Sequence, residues 1–456
     1  MTMNFSSTHI RSNIEWGVKV KEGYANVMAR LYGRALKDNW HRACRDITFQ
    51  VTEACDLQCI YCYERHKSSK RMPWETAKAI VDYLYRMWDE NDPEAFISRD
   101  TKSLVLNFIG GEPLLEIGLI ERICDYFWHE AAKREGCPWG DLFRIAMTSN
   151  GTHYFDERVQ RFIYKYRDRL SFSITIDGPN EMHDACRIHP DGRGSWAEAN
   201  AAQKHYHNTY GGYLGTKVTI APENLKFLHT TFRYFADNGY EEFNANPIFE
   251  HEWTPEEAKV YYKELCSIAN DMLSQDKYGA IETSLFDNRY FVPIPETDLG
   301  NWCGGTGMMM AFDPDGKAFP CLRYMESSLN GEQEPLCIGD CFDGAYFKQE
   351  HIEIREWMSK MNRRTSCDDE CFHCPIAKGC ASCAAWNYQK YGTPDKKDKS
   401  ICWMHRARCL ANAYYWNRKW RLDGSKERMP ILLERKHALK IVTKDELDIL
   451  IDFTEE

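Results

Sequence analysis

Residues 52–64 read TEACDLQCIYCYE, directly after DITFQV (46–51). In DITFQV the apolar residues Ile47, Phe49 and Val51 alternate with polar ones, the period of a strand. The loop that follows carries Cys55, Cys59 and Cys62 in the spacing C-x3-C-x2-C. Three thiolates in one tight loop can hold three irons of a cubane cluster, which leaves the fourth iron open to another ligand. A structural zinc knuckle is the alternative. Such a zinc takes four protein ligands, and no fourth Cys or His stands at the usual spacing unless His66 serves.

Beyond this loop, helical and strand periods alternate. WETAKAIVDYLYRMW (74–88) sets Ala77, Ile80, Val81 and Leu84 on one helical face. Strands are expected at 103–109, 142–148, 171–176, 217–221 and 241–248, and helices at 119–133, 157–166, 195–208, 225–239 and 254–273. Thr254 and Pro255 open the last of these helices. Six β/α units with right-handed crossovers make an α/β fold with a parallel sheet. They are too few for a closed eight-stranded barrel and enough for a partial one, whose chemistry belongs at the C-terminal ends of the strands.

The chain has 456 residues, 43% hydrophobic and 28% charged, a globular composition with room for two or three parts. No apolar run reaches 18 residues, and the N-terminus lacks the apolar core of an export signal, so a cytoplasmic protein without a membrane span is expected. A net charge of -10 argues against a general nucleic-acid binder. In a reducing compartment, 19 cysteines point to metal rather than disulfides. Eleven of them lie between Cys303 and Cys409, so a boundary is expected near 285–300. The resulting division is an N-terminal extension 1–45, a barrel 46–290, a cysteine-rich part 291–410 and a charged, partly helical extension 411–456.

In the cysteine-rich part, Cys303 and Cys321 bracket Gly316 as C-x12-G-x4-C. Cys371, Cys374, Cys380, Cys383 and Cys402 follow, the first four as C-x2-C-x5-C-x2-C. Read alone, residues 371–383 suit a zinc ribbon as well as iron. Cys44, Cys124, Cys137, Cys186, Cys266 and Cys409 read most simply as small buried hydrophobes.

The cysteine triplet with Tyr61 before its last member, its place after the first strand and the β/α series together resemble the radical SAM superfamily. The resemblance implies a [4Fe–4S] cluster on Cys55, Cys59 and Cys62 that binds S-adenosylmethionine (SAM) and cleaves it to a 5′-deoxyadenosyl radical. Gly110-Gly111-Glu112-Pro113 resembles the family's GGEP motif, implying contact with the SAM amino group. Ser149 and Asn150 suit its ribose, although a plain turn explains them equally. Thr175-Ile176-Asp177-Gly178-Pro179 with His183, Asp184 and Arg187 resembles a stretch whose hydroxyl residue and arginine hold the SAM carboxylate. Threonine stands here in place of serine. His183 is read as a structural partner.

The later cysteines resemble the SPASM extension, implying two auxiliary [4Fe–4S] clusters. Cys371, Cys374, Cys380 and Cys402 would hold one of them. Cys303, Cys321 and Cys383 would hold the other, with an iron left open or a fourth ligand drawn from Cys337, Cys341 or Cys367. An open iron could bind a substrate thiolate. The chain departs from the family by spacing Cys380 and Cys383 two residues apart instead of three, and by lacking a cysteine shortly before Cys303.

The whole chain resembles the maturases of Cys-x-x-x-repeat peptides, the thioether-forming, freyrasin-synthase-like ranthipeptide enzymes. That implies a ribosomally made precursor peptide as partner, a reductant such as flavodoxin or ferredoxin, and a bond from a peptide Cys sulfur to a side-chain carbon of an acceptor, often Asp. The rival activity is oxidation of a protein Cys or Ser to formylglycine, as in sulfatase maturation. A cluster- or zinc-holding interaction protein is a third reading, against which GGEP and the Arg187 stretch argue.

Overall fold

The computed structural model of the protein describes residues 43–211, 214–274, 276–300, 303–307, 309–342 and 348–455. Most of the expected N-terminal extension, residues 1–42, lies outside the described residues.

Six strand–helix units follow one another. They are β1 (Cys44–Thr52) with α1 (Trp74–Glu90), β2 (Ser103–Gly110) with α2 (Ile117–Ala132), and β3 (Arg144–Ser149) with α3 (Glu157–Tyr166). Then come β4 (Leu170–Ile174) with α4 (Trp196–Tyr210), β5 (Gly215–Ile220) with α5 (Leu228–Asp237), and β6 (Glu242–Pro247) with α6 (Pro255–Leu273). Each element falls within a few residues of its expected place. α6 starts where Thr254 accepts from the Glu257 N–H and Glu257 returns the bond to the Thr254 N–H, with Pro255 in the first turn.

Ile47, Phe49 and Val51 are wholly buried, as are Ala77, Ile80, Val81 and Leu84 of α1, so the two periods read in the sequence meet in one core. Each such side chain contributes about 1.5–3 kcal/mol by leaving water.

β1 to β4 are parallel, in the order β4-β3-β2-β1, and β5 pairs in parallel with β6 as a separate two-stranded ladder. The partial barrel therefore has a seam between β4 and β5. It is crossed by the Thr219 N–H, which donates to Asp177 Oδ1 at 3.2 Å.

On its other edge the sheet continues into the cysteine-rich part. β7 (Met309–Phe312) pairs in parallel with β1, Asp46 opposite Met309, and the antiparallel strands β8 (Lys317–Phe319) and β9 (Gly339–Asp340) follow it. A second, smaller core gathers Ala311, Phe319, Tyr324, Met325 and Leu329 with Met358 of α7 (Gln349–Ser359) and Tyr388 of α8 (Ala384–Tyr391).

The chain then returns to the barrel. α9 (Cys402–Leu422) runs across the 410/411 division and packs on the main core. There Asn412 binds the backbone of Leu285 and Asp287, and Tyr415 packs on Phe286 with ring centroids 4.7 Å apart. α10 (Lys444–Glu455) adds Leu447 and Leu450 to the same core.

The glycines after β2 are pressed against the cysteine loop. A Cβ on Gly110 would stand 2.5 Å from the Thr52 carbonyl oxygen, and one on Gly111 2.3 Å from that of Ala54 and 2.7 Å from Cys55 Cβ. The Gly111 and Glu112 N–H groups donate to those same two carbonyls. Gly111→Ala should cost about 1–3 kcal/mol through overpacking, read as a lowered urea midpoint. Gly140→Ala, whose Cβ would meet nothing closer than 3.7 Å, should leave the midpoint in place.

Candidate active site

The strand ends surround a cavity of about 1130 Å³. Cys55, Cys59 and Cys62 line it, as do Tyr61, Gly110, Gly111, Glu112, Pro113, Ser149, Asn150, Thr175 and Arg187. Of the residues singled out for SAM, Asp177 alone does not. It is fully buried behind the wall, where the Tyr61 hydroxyl and the Thr219 N–H donate to its carboxylate. Arg187 Nη1 donates to the Tyr61 oxygen at 2.9 Å. Asp177 thus anchors Tyr61, and Tyr61 anchors Arg187.

Arg187 Nε is buried with no hydrogen-bond partner among the described residues. A cation that lines a cavity and keeps a free donor fits an anionic ligand such as a carboxylate. Arg187 and Thr175 are therefore suited to the carboxylate of SAM.

Glu112 accepts from the Leu114 N–H, from the Ser149 hydroxyl at 2.8 Å and from the Asn150 N–H at 2.8 Å, so it ties the β2 end to the β3 end. Burial, opposed by these bonds, pushes its carboxyl up to about 7. Glu64 is also pushed up to about 7 by burial and accepts from Gln50 Nε2.

His183 is structural, as its sequence context suggested. The Asp177 N–H donates to His183 Nδ1, so Nε2 carries the proton and donates to Ser195 Oγ at 3.0 Å. Ser195 in turn donates to the Arg187 carbonyl, which fixes the turn that presents Arg187.

Lys67 escaped the sequence reading because no motif includes it. Its Nζ donates to the Leu57 carbonyl at 3.1 Å, inside the cysteine loop, and it lines the cavity. Burial lowers its affinity for a proton, but the Cys62, Cys55 and Cys59 charges outweigh this and raise it. Burial pushes the Cys55 thiol up to about 12, against the pull of Lys67. A metal bound at this thiol would displace its proton at neutral pH.

Arg323, also unread, joins three parts of the molecule. It pairs with Glu250 after β6, lies over the Tyr63 ring at 5.2 Å, and donates to Cys383 Sγ at 3.5 Å.

The later cysteines lie in two neighbourhoods. A Cβ at Gly305 would stand 3.2 Å from Cys321 Sγ and 3.7 Å from Cys303 Sγ, and Cys383 acts electrostatically on both. Cys371, Cys374, Cys380 and Cys402 form a second group around Lys397, whose Nζ donates to Cys380 Sγ at 3.2 Å. Cys409 lies beside Cys374 and Cys380, with its Sγ 3.5 Å from His405 Nε2. Cys337 and Cys367 donate to the Gly339 and Arg363 carbonyls, and Cys341 packs on Gly316.

Among the described residues, no group of three or more Cys, His, Asp or Glu side chains is arranged to hold a metal ion.

No protein-family model matches the chain. Over 190 residues it is 28% identical to an uncharacterised protein of Methanocaldococcus jannaschii, covering 42% of this chain and 58% of that relative. Over 386 residues it is 21% identical to a radical SAM cyclopropyl synthase of Paramaledivibacter caminithermalis, 79% of this chain and 72% of the relative. Over 361 residues it is 22% identical to a serine-type anaerobic sulfatase-maturating enzyme of Bacteroides thetaiotaomicron, 72% of this chain and 80% of the relative. The solved structure of native anSMEcpe with bound AdoMet and Kp18Cys peptide superposes with a TM-score of 0.58 at 17% identity, covering 81% of this chain and 97% of that one. That likeness establishes the fold. The chain is similar in sequence to these radical SAM enzymes, and the expected partial barrel with a cysteine-rich C-terminal region is what the structure contains. No helix among the described residues is long and apolar enough to cross a membrane.

Burial and the Arg187 cation push His183 down to about 3, far below its unfolded value of about 6.5. The unfolded chain then takes up a proton that the folded chain refuses, so stability falls as pH drops from about 6.5 toward 3. Relative to His183→Asn, the wild type should lose about 1 kcal/mol between pH 6.5 and pH 5.5. Paired urea titrations at the two pH values read it directly.

Proposed function

We propose that the protein is a radical SAM maturase of a ribosomally made peptide, an oxidoreductase that joins a peptide cysteine sulfur to a side-chain carbon of an acceptor residue, Asp foremost. One observation carries the reading. A single cavity is lined both by Cys55, Cys59 and Cys62 and by Leu322 and Arg323, which directly follow Cys321. A side chain bound in this lumen would meet the cysteine loop and the segment after Cys321 together.

The lumen suits a peptide because polar and apolar side chains share its lining. Asn107, Thr148, Ser173, Lys217, Thr219, Glu242, Asn244 and Asn246 line it from β2 to β6, beside Phe172, Ile174 and Ile248.

A cluster held by Cys55, Cys59 and Cys62 would, with SAM bound, supply a carbon-centred radical that takes a hydrogen atom from the substrate. The chain's own residues position the partners. Arg187 and Thr175 hold the SAM carboxylate, with Tyr61 and Asp177 keeping Arg187 in place. Gly110 and Gly111 let the cysteine loop sit close to the β2 end. Arg323 fixes the wall between the lumen and Cys383.

Two auxiliary clusters, on Cys303, Cys321 and Cys383 and on Cys371, Cys374, Cys380 and Cys402, complete the reading. So do the division at 290 between barrel and cysteine-rich part, a flavodoxin- or ferredoxin-like reductant and a cytoplasmic setting.

Formylglycine formation is the second reading, favoured by the likeness to the sulfatase-maturating enzyme. Mass spectrometry separates them after anaerobic incubation with SAM, a reductant and a cysteine-repeat peptide. A thioether product weighs two hydrogens less per crosslink, keeps its sulfur and resists alkylation. Formylglycine made from cysteine loses the sulfur. An unmodified, alkylatable cysteine would remove the thioether reading.

Reconstituted protein should hold about twelve irons per chain. The Cys55→Ala, Cys59→Ala, Cys62→Ala triple variant should retain about eight and make no 5′-deoxyadenosine. About four irons in the wild type would remove the auxiliary clusters.

A further inference from the structure

The charges that line the lumen are matched one by one, with a single exception. Glu64 accepts from Gln50, and Glu112 from Ser149 and Asn150. Glu242 accepts from Asn244 Nδ2, and Glu250 pairs with Arg323. Of the cations, Arg187 donates to Tyr61 and Lys67 to the Leu57 carbonyl among the thiols. Lys217, which is solvent-exposed, alone has no hydrogen bond and no ion pair among the described residues.

The position of Lys217 follows from the strand period. Val218 and Ile220 of β5 are fully buried in the core, so Lys217 and Thr219 stand on the opposite face, and both line the lumen. Lys217 is opposite Asn244 in the β5–β6 ladder, and Thr219 is opposite Asn246. Glu242 is the nearest lumen carboxylate along β6, and it is already held by Asn244. Thr216 Oγ1 of β5 and His207 Nδ1 of α4 also border the cavity, buried and without partners among the described residues. The β5 side of the cavity therefore holds a cation with no anionic partner among the described residues.

We propose that Lys217 binds a side-chain carboxylate of the peptide substrate and so selects an acidic residue for the reaction site. The proposal rests on the chain being a peptide maturase. Its geometry supports that role. Two residues along β5, about 7 Å on, Thr219 is bonded to Asp177, which holds Tyr61 beside Arg187. A carboxylate at Lys217 thus sets its own carbon one layer from the wall suited to SAM. An amide in its place would forgo the ion pair with an ammonium that water still solvates, so the discrimination is modest.

The test uses reconstituted full-length enzyme and an acetylated, amidated synthetic peptide with one Cys and one Asp four residues on, together with its twin bearing Asn for Asp. Capped ends remove the terminal carboxylate as a source of the charge. The wild type should bind the Asp peptide about threefold more tightly than its twin. Lys217→Met should equalise the two, and Lys217→Arg should restore the preference. Unchanged iron content shows that the variants are folded. A preference that survives in Lys217→Met overturns the proposal, as does a wild type that binds the two peptides equally or neither. Mass spectrometry of the same samples keeps the two readings apart. Lys217-dependent selection without crosslinking supports the carboxylate site and removes the thioether. Crosslinking without selection does the reverse.

Discussion

The buried carboxylate of Asp177 holds the site together. It lies where the backbone ladder between β4 and β5 is interrupted, and its oxygens take the Thr219 N–H of β5 and the Tyr61 hydroxyl of the cysteine loop. Burial pushes its carboxyl up, against the pull of the Arg187 cation and the bonds from Tyr61 and Thr219. The cysteine loop, the β4 turn and the second half of the barrel therefore share one fully buried side chain. Losing it would free Tyr61, loosen Arg187 and widen the seam together, which makes it a point of coupling rather than one contact among many.

The cysteine-rich part is joined to the barrel by backbone and by charge. β7 extends the sheet at β1, and Arg323 ties Glu250 and Tyr63 to Cys383. α9 begins with Cys402 and then lies along α6, so one helix carries a thiol of the second group and part of the main core. The lumen is thus enclosed by elements from both parts.

Much of this was legible in the residues. The six β/α units could be read because long periodic runs alternate, and the thiol groups because cysteine spacing is itself the chemistry. β7 to β9 were not, because runs of four, three and two residues carry no period. The seam left no trace, since β4 and β5 look like any neighbouring strands. Asp177 was read as a ligand contact because it sits in a motif, yet it works one step behind the wall. Lys67, Arg323 and Lys217 belong to no motif. Their meaning comes from which charges they meet, or fail to meet, once the chain is folded.

The parallel pairing of β1 with β7 has a consequence for biosynthesis. Asp46 leaves the ribosome long before its partner Met309 is made. At about 5–20 residues per second the interval is on the order of ten to fifty seconds. Throughout it, one edge of the strand bearing Ile47, Phe49 and Val51 is an open template for any passing strand. The nascent barrel is therefore most exposed to aggregation before its cysteine-rich part exists, and a chain truncated ahead of β7 would keep that edge for good.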